Sequence, residues 1–309
     1  MAVNYRYINK STAIHDLNPL AKLAWTIVIV VLTLIYNNPL YILTLFCGTL
    51  PLMLMAEIKT EWKTALKFSI LLGLVIILIN MLFSTSGAHI LYQAPFHIPL
   101  LGSPRLTLEA IFYGLGNTLR LITIISAFTI FTLTTHPDDM MLMMQSLKLP
   151  YKTILVASLS TRFVPALIQD VKEIRDTQQS KGLELHQTKL SQKIKRGVMI
   201  IIPLLSNSLD RAVQIAEAME SRGFGAMKNR TFYKEIRYSK IDFITILLIV
   251  SCFIAGLWIR LQGWGDYEYY PVLDKLLSAK SDYIALGILS LFLFTFPLVA
   301  DIKRRIKLD

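Results

Sequence analysis

Long apolar runs alternate with shorter polar segments along this chain of 309 residues. Six runs reach the roughly 17 to 20 residues that a helix needs to cross the hydrocarbon core of a bilayer. Asn37-Asn38-Pro39 separates the first two runs and predicts a tight turn between two helices. The pattern predicts an all-α, polytopic integral membrane protein with about six transmembrane helices, at residues 20–36, 39–56, 67–84, 106–134, 241–259 and 283–300.

A different pattern occupies residues 135–240. Apolar residues recur there at spacings of mostly three and four, which indicates two long amphipathic helices at 151–181 and 198–222. Pro165 is expected to bend the first of them, because an internal proline removes a helical hydrogen bond. The chain is therefore divided into an N-terminal membrane region (1–134), a segment with two long amphipathic helices (135–240) and a C-terminal membrane region (241–309) with two spans.

Composition and charge agree with this division. Only 17% of the residues are charged, against about 25% in a soluble domain. If the N-terminus is cytoplasmic, 27 of the 32 Lys and Arg residues fall on the cytoplasmic side, as the positive-inside rule requires. We therefore expect both termini and residues 135–240 in the cytoplasm. This topology accounts for the net charge of +11. Membrane lipid is therefore an expected partner, and nucleic acid is not.

Arg120 is an ionisable residue inside the fourth apolar run. Such a residue is costly at membrane depth and usually faces the protein interior or a water-filled cavity. One interpretation is a structural partner or a side chain that reaches outward to the interface. The other is a contact with a partner subunit or with the path of a substrate.

Two basic helix ends carry the strongest candidate chemistry. Ser180-Lys181-Gly182-Leu183 and Ser221-Arg222-Gly223-Phe224 repeat one pattern at an interval of 41 residues. Taken singly, each is an ordinary helix C-terminus, with glycine after the last turn and a cation against the helix dipole. The repetition favours a pair of docking ends, in which a small residue permits close approach, the cation reaches an acceptor and the apolar residue enters a pocket.

The sequence offers no catalytic machinery. It has no Gly-Lys pair, so no phosphate-binding loop of the P-loop type is present, and ATP must be hydrolysed by another protein if the chain serves an ATP-driven process. The five histidines are scattered, and no metal site is predicted. Asp170 and Asp176 share one amphipathic helix, where a solvated surface is the simpler interpretation than a magnesium site. No catalytic residue, metal or cofactor is assigned to this chain.

At this point the sequence resembles the transmembrane component (EcfT) of energy-coupling factor transporters, a family that includes the corresponding components of cobalt, nickel and biotin systems. The resemblance covers most of residues 5–225. Besides the two basic ends, it rests on Ser11-Thr12-Ala13-Ile14-His15-Asp16-Leu17-Asn18-Pro19, Thr135-His136-Pro137-Asp138-Asp139 and Thr161-Arg162-Phe163-Val164-Pro165. In the family, two helix ends with an Ala-Arg-Gly type signature dock into grooves on two ATPase subunits.

The resemblance assigns ATPase docking to two triplets, Ser180-Lys181-Gly182 and Ser221-Arg222-Gly223. The resemblance also implies that four residues support the helices that couple ATP hydrolysis to transport, namely Arg162, Pro165, Leu183 and Phe224. This chain departs from the family in having serine for alanine in both triplets and Lys181 for the usual arginine. Because lysine is a point charge on a flexible stem, the first end is predicted to couple less rigidly than the second.

The resemblance implies a non-catalytic scaffold of an ABC-type importer in a prokaryotic cell membrane. Its expected partners are two ATP-binding-cassette ATPases, which hold the ATP and magnesium, and a membrane subunit (the S component) that binds a vitamin or transition-metal ion. Two alternatives stay open on the residues alone. One is a polytopic membrane enzyme for phosphorylated or lipid substrates, and the other is a stand-alone carrier, which would need internal repeats and broken spans.

Overall fold

The computed structural model describes residues 10, 12–83, 87–93, 105–181, 190–226, 239–277 and 280–308. These residues form nine helices and one two-stranded antiparallel sheet, which confirms the all-α class. The helices are α1 (Pro19–Ile35), α2 (Pro39–Met55), α3 (Lys59–Phe83), α4 (Leu108–Thr134), α5 (Pro137–Ser146), α6 (Tyr151–Ser180), α7 (Leu190–Ser221), α8 (Lys240–Leu261) and α9 (Lys280–Leu308). The strands are β1 (Ile90–Gln93) and β2 (Arg105–Thr107).

Six helices in the described ranges are long and apolar enough to cross a membrane, so the chain is a multi-pass membrane protein. Four of them, α3, α4, α8 and α9, correspond to predicted spans. The other two are α6 and α7, whereas α1 and α2 are apolar helices of only 17 residues each. The number agrees with the prediction but the membership differs, because the charged residues of α6 and α7 cluster and leave an apolar window of 18 residues in each helix.

The chain forms two compact units. The first combines Met1–Met140 with Arg237–Asp309, and the second is Met141–Ile236. The first unit contains α1 to α4 with α8 and α9, and the second contains α6 and α7.

The two short helices α1 and α2 contribute most to the core of the first unit. Helix α4 packs against α1, α2 and α3, while α8 packs against α1 and α9, and α9 packs against α2. Burial explains part of the apolar character of α1 and α2, while each also exposes apolar side chains such as Ile27 (51%) and Leu54 (50%). The large side chains that are fully buried include Ile29, Leu32, Tyr36, Tyr41, Ile42, Leu45, Ile259 and Leu289.

Helices α1 and α2 begin with the same N-terminal capping arrangement. Asn18 and Asn38 are N-caps whose Oδ1 atoms accept from the amides of Leu20 and Leu40. A proline follows each cap at the first helical position, where its missing N–H would have had no helical partner. The turn predicted at residues 37–39 therefore lies between the end of α1 and the start of α2.

Arg120 fastens α4 to the C-terminal end of α1. Its guanidinium donates to the carbonyls of Thr33 (3.1 Å) and Tyr36 (2.9 Å) and to the side-chain oxygens of Asn37 (3.1 Å) and Asn117 (3.0 Å). The last carbonyls of a helix have no intrahelical donor and carry partial negative charge, so a cation is stabilising there. These contacts are those of a structural residue.

Lys22 makes the reciprocal contact near the other end of the same helix pair. This buried side chain of α1 donates to the carbonyl of Thr134, the last residue of α4, at 2.8 Å, and to the carbonyl of His15 at 3.1 Å. Helices α1 and α4 are antiparallel, and each supplies a cation to the C-terminal carbonyls of the other.

Two further polar contacts close the first unit. Asp242 forms a capping box with Ser239 at the start of α8 and pairs with Lys303 of α9 at 2.6 Å. In the segment between α8 and α9, the hydroxyl of Tyr269 donates to the carbonyl of Asn37 at 3.0 Å. Burial raises the pKa of Tyr269 to about 12, so its hydroxyl stays protonated as this contact requires.

Candidate docking site on helices α6 and α7

Proline and histidine define how the chain enters the second unit. The Nδ1 atom of His136 accepts from the amide of Asp138 at 3.1 Å, so the His136 side chain caps the start of α5. Pro150 lies immediately before α6, which begins at Tyr151. Pro165 lies inside α6, where it leaves the carbonyl of Thr161 without a helical donor.

Helices α6 and α7 pack against each other in opposite directions. At one place, the ring of Tyr151 at the start of α6 lies 5.9 Å from the ring of Phe224, just after α7. Further along α6, Asp170 pairs with Arg211, which lies earlier in α7, at 2.9 Å. Because contacts move forward in α6 as they move backward in α7, the helices are antiparallel, and Ser180 and Ser221 lie toward opposite ends of the pair.

The Asp170–Arg211 pair corrects the expectation that Asp170 belongs to a solvated surface. Its side chain is only 17% exposed, and that of Arg211 is 34% exposed. Beside the pair lies a cavity of about 140 Å³ between the two helices, lined by Phe163, Leu167, Ser208, Arg211 and Ala212. Apolar periodicity does not predict this pair, although Asp170 and Arg211 are separated by the same 41 residues as the two basic ends.

The second basic end has the geometry of a Schellman motif. The amide of Phe224 donates to the carbonyl of Met219 (3.0 Å), and the amide of Gly223 donates to that of Glu220 (2.8 Å). Gly223 has a φ of +69°, and an added Cβ would meet no atom within 4 Å. Glycine is therefore needed for its backbone conformation, which leaves Arg222 exposed at the tip of α7.

The first basic end is described as far as Lys181. The hydroxyl of Ser180 donates to the carbonyl of Asp176 (3.0 Å), as that of Ser221 donates to Ala218 (3.0 Å). Lys181 caps α6 through its amide, which donates to Thr177 at 3.2 Å, and its side chain is exposed. Gly182 and Leu183 lie outside the described residues, so their predicted roles stay predictions.

The two helices differ in their apolar faces. On α6 the stripe of apolar residues that recur every three or four positions, which includes Phe163 and Leu167, is half-buried. On α7 the stripe stays exposed, with Leu205 at 57%, Leu209 at 66% and Val213 at 56%. The exposed face of α7 is that of a surface that meets lipid or another apolar protein.

The other predicted residues take different places. Arg162 and Pro165 are exposed on α6, whereas the ring of Phe224 contacts Tyr151 of the opposite helix. Arg120 belongs to the first unit. Among the described residues, no ion pair involves Lys181 or Arg222, and both side chains are exposed.

Comparison with known proteins matches residues 10–233 to the family described as CbiQ, cobalt transport protein. The chain is also similar to proteins named energy-coupling factor transporter transmembrane protein EcfT. That of Staphylococcus aureus is 28% identical over 84% of this chain and 97% of the relative. That of Streptococcus thermophilus is 32% identical over 80% and 94%, and that of Lactococcus lactis is 29% identical over 83% and 97%.

Proposed function

This chain belongs to the CbiQ cobalt transport protein family and is a transmembrane component of the energy-coupling factor type, and we propose that it transmits ATP hydrolysis in partner subunits to solute import. Two ATP-binding-cassette subunits hold the ATP and magnesium. Each of them binds one basic end of the α6–α7 pair. When these subunits close and open, the helices carry the movement to a substrate-binding membrane subunit.

The observation that carries the proposal is the placement of the two basic ends. Lys181 and Arg222 are exposed cations at the tips of two antiparallel helices, so they point away from one another. Two separate ATPase subunits can therefore bind the ends without competing for one surface. A single partner with a single acidic groove would need the ends side by side.

Charge favours a position of α6 and α7 along the cytoplasmic surface of the membrane. If α7 crossed the bilayer over Gly197–Ser221, Asp210 and Arg211 would lie beside its midpoint. Arg162 would lie close to the middle of α6 in the same way. Ionisable groups at that depth are costly, whereas at the surface they face water and the apolar residues face lipid or protein. Both termini then lie in the cytoplasm, as the distribution of basic residues indicates.

The exposed stripe of α7 supplies a contact for the substrate-binding subunit. Leu205, Leu209 and Val213 form an apolar face that is too large to stay in water. A membrane subunit that changes orientation needs such a smooth apolar surface to move against. In this scheme the S component selects the vitamin or transition-metal ion, and this chain supplies the movement.

The packing of α6 against α7 disfavours the alternative of a membrane enzyme. Such an enzyme would want Asp170 and Asp176 together to hold magnesium and a phosphorylated substrate. The carboxylate of Asp170 is instead occupied by the guanidinium of Arg211 at 2.9 Å.

The test is co-purification from native membranes. Two ATPase subunits are expected to follow the wild-type chain and to be lost with Arg222→Glu, because the reversed charge repels an acidic groove. The matched control is Arg305→Glu, which reverses an exposed cation on α9 of the other unit and should leave co-purification intact. Wild-type protein that emerges alone, or Arg222→Glu that retains both ATPases, contradicts the proposal.

A further inference from the structure

The ion pair between α6 and α7 joins equivalent positions of a sequence repeat. The interval of 41 residues that separates Ser180 from Ser221 and Lys181 from Arg222 also separates Asp170 from Arg211. Asp170 and Arg211 thus stand ten residues before the serine of their respective helix ends. A helix rises 1.5 Å per residue, so each arm from the ion pair to its serine is about 15 Å long.

Antiparallel helices that touch at equivalent positions have a local two-fold axis between them. Here that axis passes between Asp170 and Arg211 and exchanges the two basic ends. A perfect repeat would place two carboxylates or two guanidinium groups face to face on the axis, where like charges repel. The chain has one of each, so its departure from the repeat at this position produces attraction at the contact.

We propose that Asp170 and Arg211 are positioning residues that form the pivot of the coupling helices and keep the two docking ends at equal distances from the axis of the ATPase pair. The proposal rests on the function proposed above. Two related ATPases that close together act on two equal arms, and a fixed pivot converts their approach into rotation of α6 against α7. Without the pivot, the helices slide and the movement is dissipated.

The surroundings of the pair fit a pivot. Both side chains are substantially shielded, so the pair is screened less than an exposed ion pair, and removal of one partner leaves the other charge poorly solvated. The neighbouring cavity of about 140 Å³ gives Phe163 and Leu167 room to shift as the helices change angle. Close packing at this point would have resisted rotation.

The experiment compares Asp170→Arg, Arg211→Asp and the double exchange Asp170→Arg with Arg211→Asp in the assembled transporter. Three quantities are measured: ATPase co-purification, solute uptake per ATP hydrolysed, and the distance between spin labels at the exposed positions of Thr177→Cys and Ala218→Cys, with Cys47 and Cys252 replaced by alanine. The label positions are also 41 residues apart. Asp210→Arg is the matched control, because it makes the same change at an exposed neighbour of Arg211.

Each single reversal is expected to lower uptake per ATP about fivefold and to broaden the label distances, with both ATPases still bound, and the double exchange should restore uptake to within about twofold. Asp210→Arg should behave as wild type. The pivot is overturned if the single variants stay coupled, or if the double exchange is as impaired as they are. If the single reversals do not accumulate in the membrane, Asp170→Asn and Arg211→Gln replace them, and the same quantity, solute uptake per ATP hydrolysed, tests the pivot. Loss of the ATPases from the wild-type complex instead refutes the proposed function itself.

Discussion

The α1–α4 pair and the α6–α7 pair are both antiparallel, yet they place their cations differently. In the first pair, Lys22 and Arg120 donate to backbone carbonyls at the ends of the neighbouring helices. In the second pair, Arg211 meets a carboxylate while Lys181 and Arg222 face outward. A cation whose donors are used by the chain itself serves the fold, and one whose donors are unused by the described residues is available for recognition.

Apolar surface follows the same division. Ile29 and Leu32 of α1 are fully buried within the first unit, whereas Leu205 and Leu209 of α7 are more than half exposed. The first unit is thus built largely from contacts within the chain. In the described residues of the second unit this apolar face of α7 stays exposed, which fits the proposed transmission of movement between subunits.

The largest expected effect is on stability, and it comes from removing one of the cations that bind backbone carbonyls in the first unit. Arg120→Gln removes the charge, and one amide cannot replace donors to four acceptors, so we expect a loss of about 2 kcal/mol in the free energy of unfolding. Thermal unfolding of the purified protein in detergent measures it. Arg162→Gln is the control, because that side chain is exposed on α6, and its effect should stay within about 0.5 kcal/mol.

An opposite pattern for Arg120 would favour the interpretation that the sequence left open. Unchanged thermal stability together with lost uptake would mean that Arg120 contacts a partner subunit or the path of the solute.

A smaller effect ranks the two recognition cations against each other. Arg222→Ala is expected to lower uptake about tenfold, because it removes a planar donor that can bind one acceptor group with two hydrogen bonds. Lys181→Ala should lower uptake less, since a flexible ammonium loses less geometric specificity. Uptake of a radiolabelled solute by reconstituted complexes gives both values. Abolished transport with Lys181→Ala and intact transport with Arg222→Ala would reverse the ranking.

The smallest effect separates the backbone of the docking end from its charge. Gly223→Ala places a Cβ at a φ of +69° and should cost about 1 kcal/mol, with weaker ATPase binding as α7 loses its defined end. Gly197→Ala is the matched control inside α7, where the added Cβ meets no atom within 4 Å and should raise stability by up to about 1 kcal/mol. Opposite signs in thermal unfolding are expected, and equal signs would show that φ is not what Gly223 provides.

Local sequence rules predicted the starts and ends of many elements. The turn predicted at Asn37-Asn38-Pro39 precedes α2, and Gly223 ends α7 in a left-handed conformation. The start of α7 was predicted at 198 but lies at Leu190, because the basic residues at its beginning interrupt the apolar pattern without preventing a helix. Helix α3 begins at Lys59 rather than 67 for the same reason.

Contacts between distant residues were beyond the same rules. Nothing in the neighbourhood of Arg120 indicates that its acceptors lie more than 80 residues earlier, at Thr33 and Tyr36. The pairing of Asp170 with Arg211 likewise depends on how two helices pack. Hydropathy and length also do not decide which helices cross the membrane, since α6 and α7 are long and apolar enough, whereas the central helices α1 and α2 have only 17 residues each.

The reciprocal contacts of Lys22 and Arg120 restrict how this family member can change in length. Between Lys22 and Thr33, and between Arg120 and Thr134, inserting one residue turns the rest of the helix by about 100°. Both cations cannot then reach their carbonyls together. Insertions and deletions are therefore excluded from the shared stretch of α1 and α4, and any lengthening during evolution or engineering has to occur in the connecting segments.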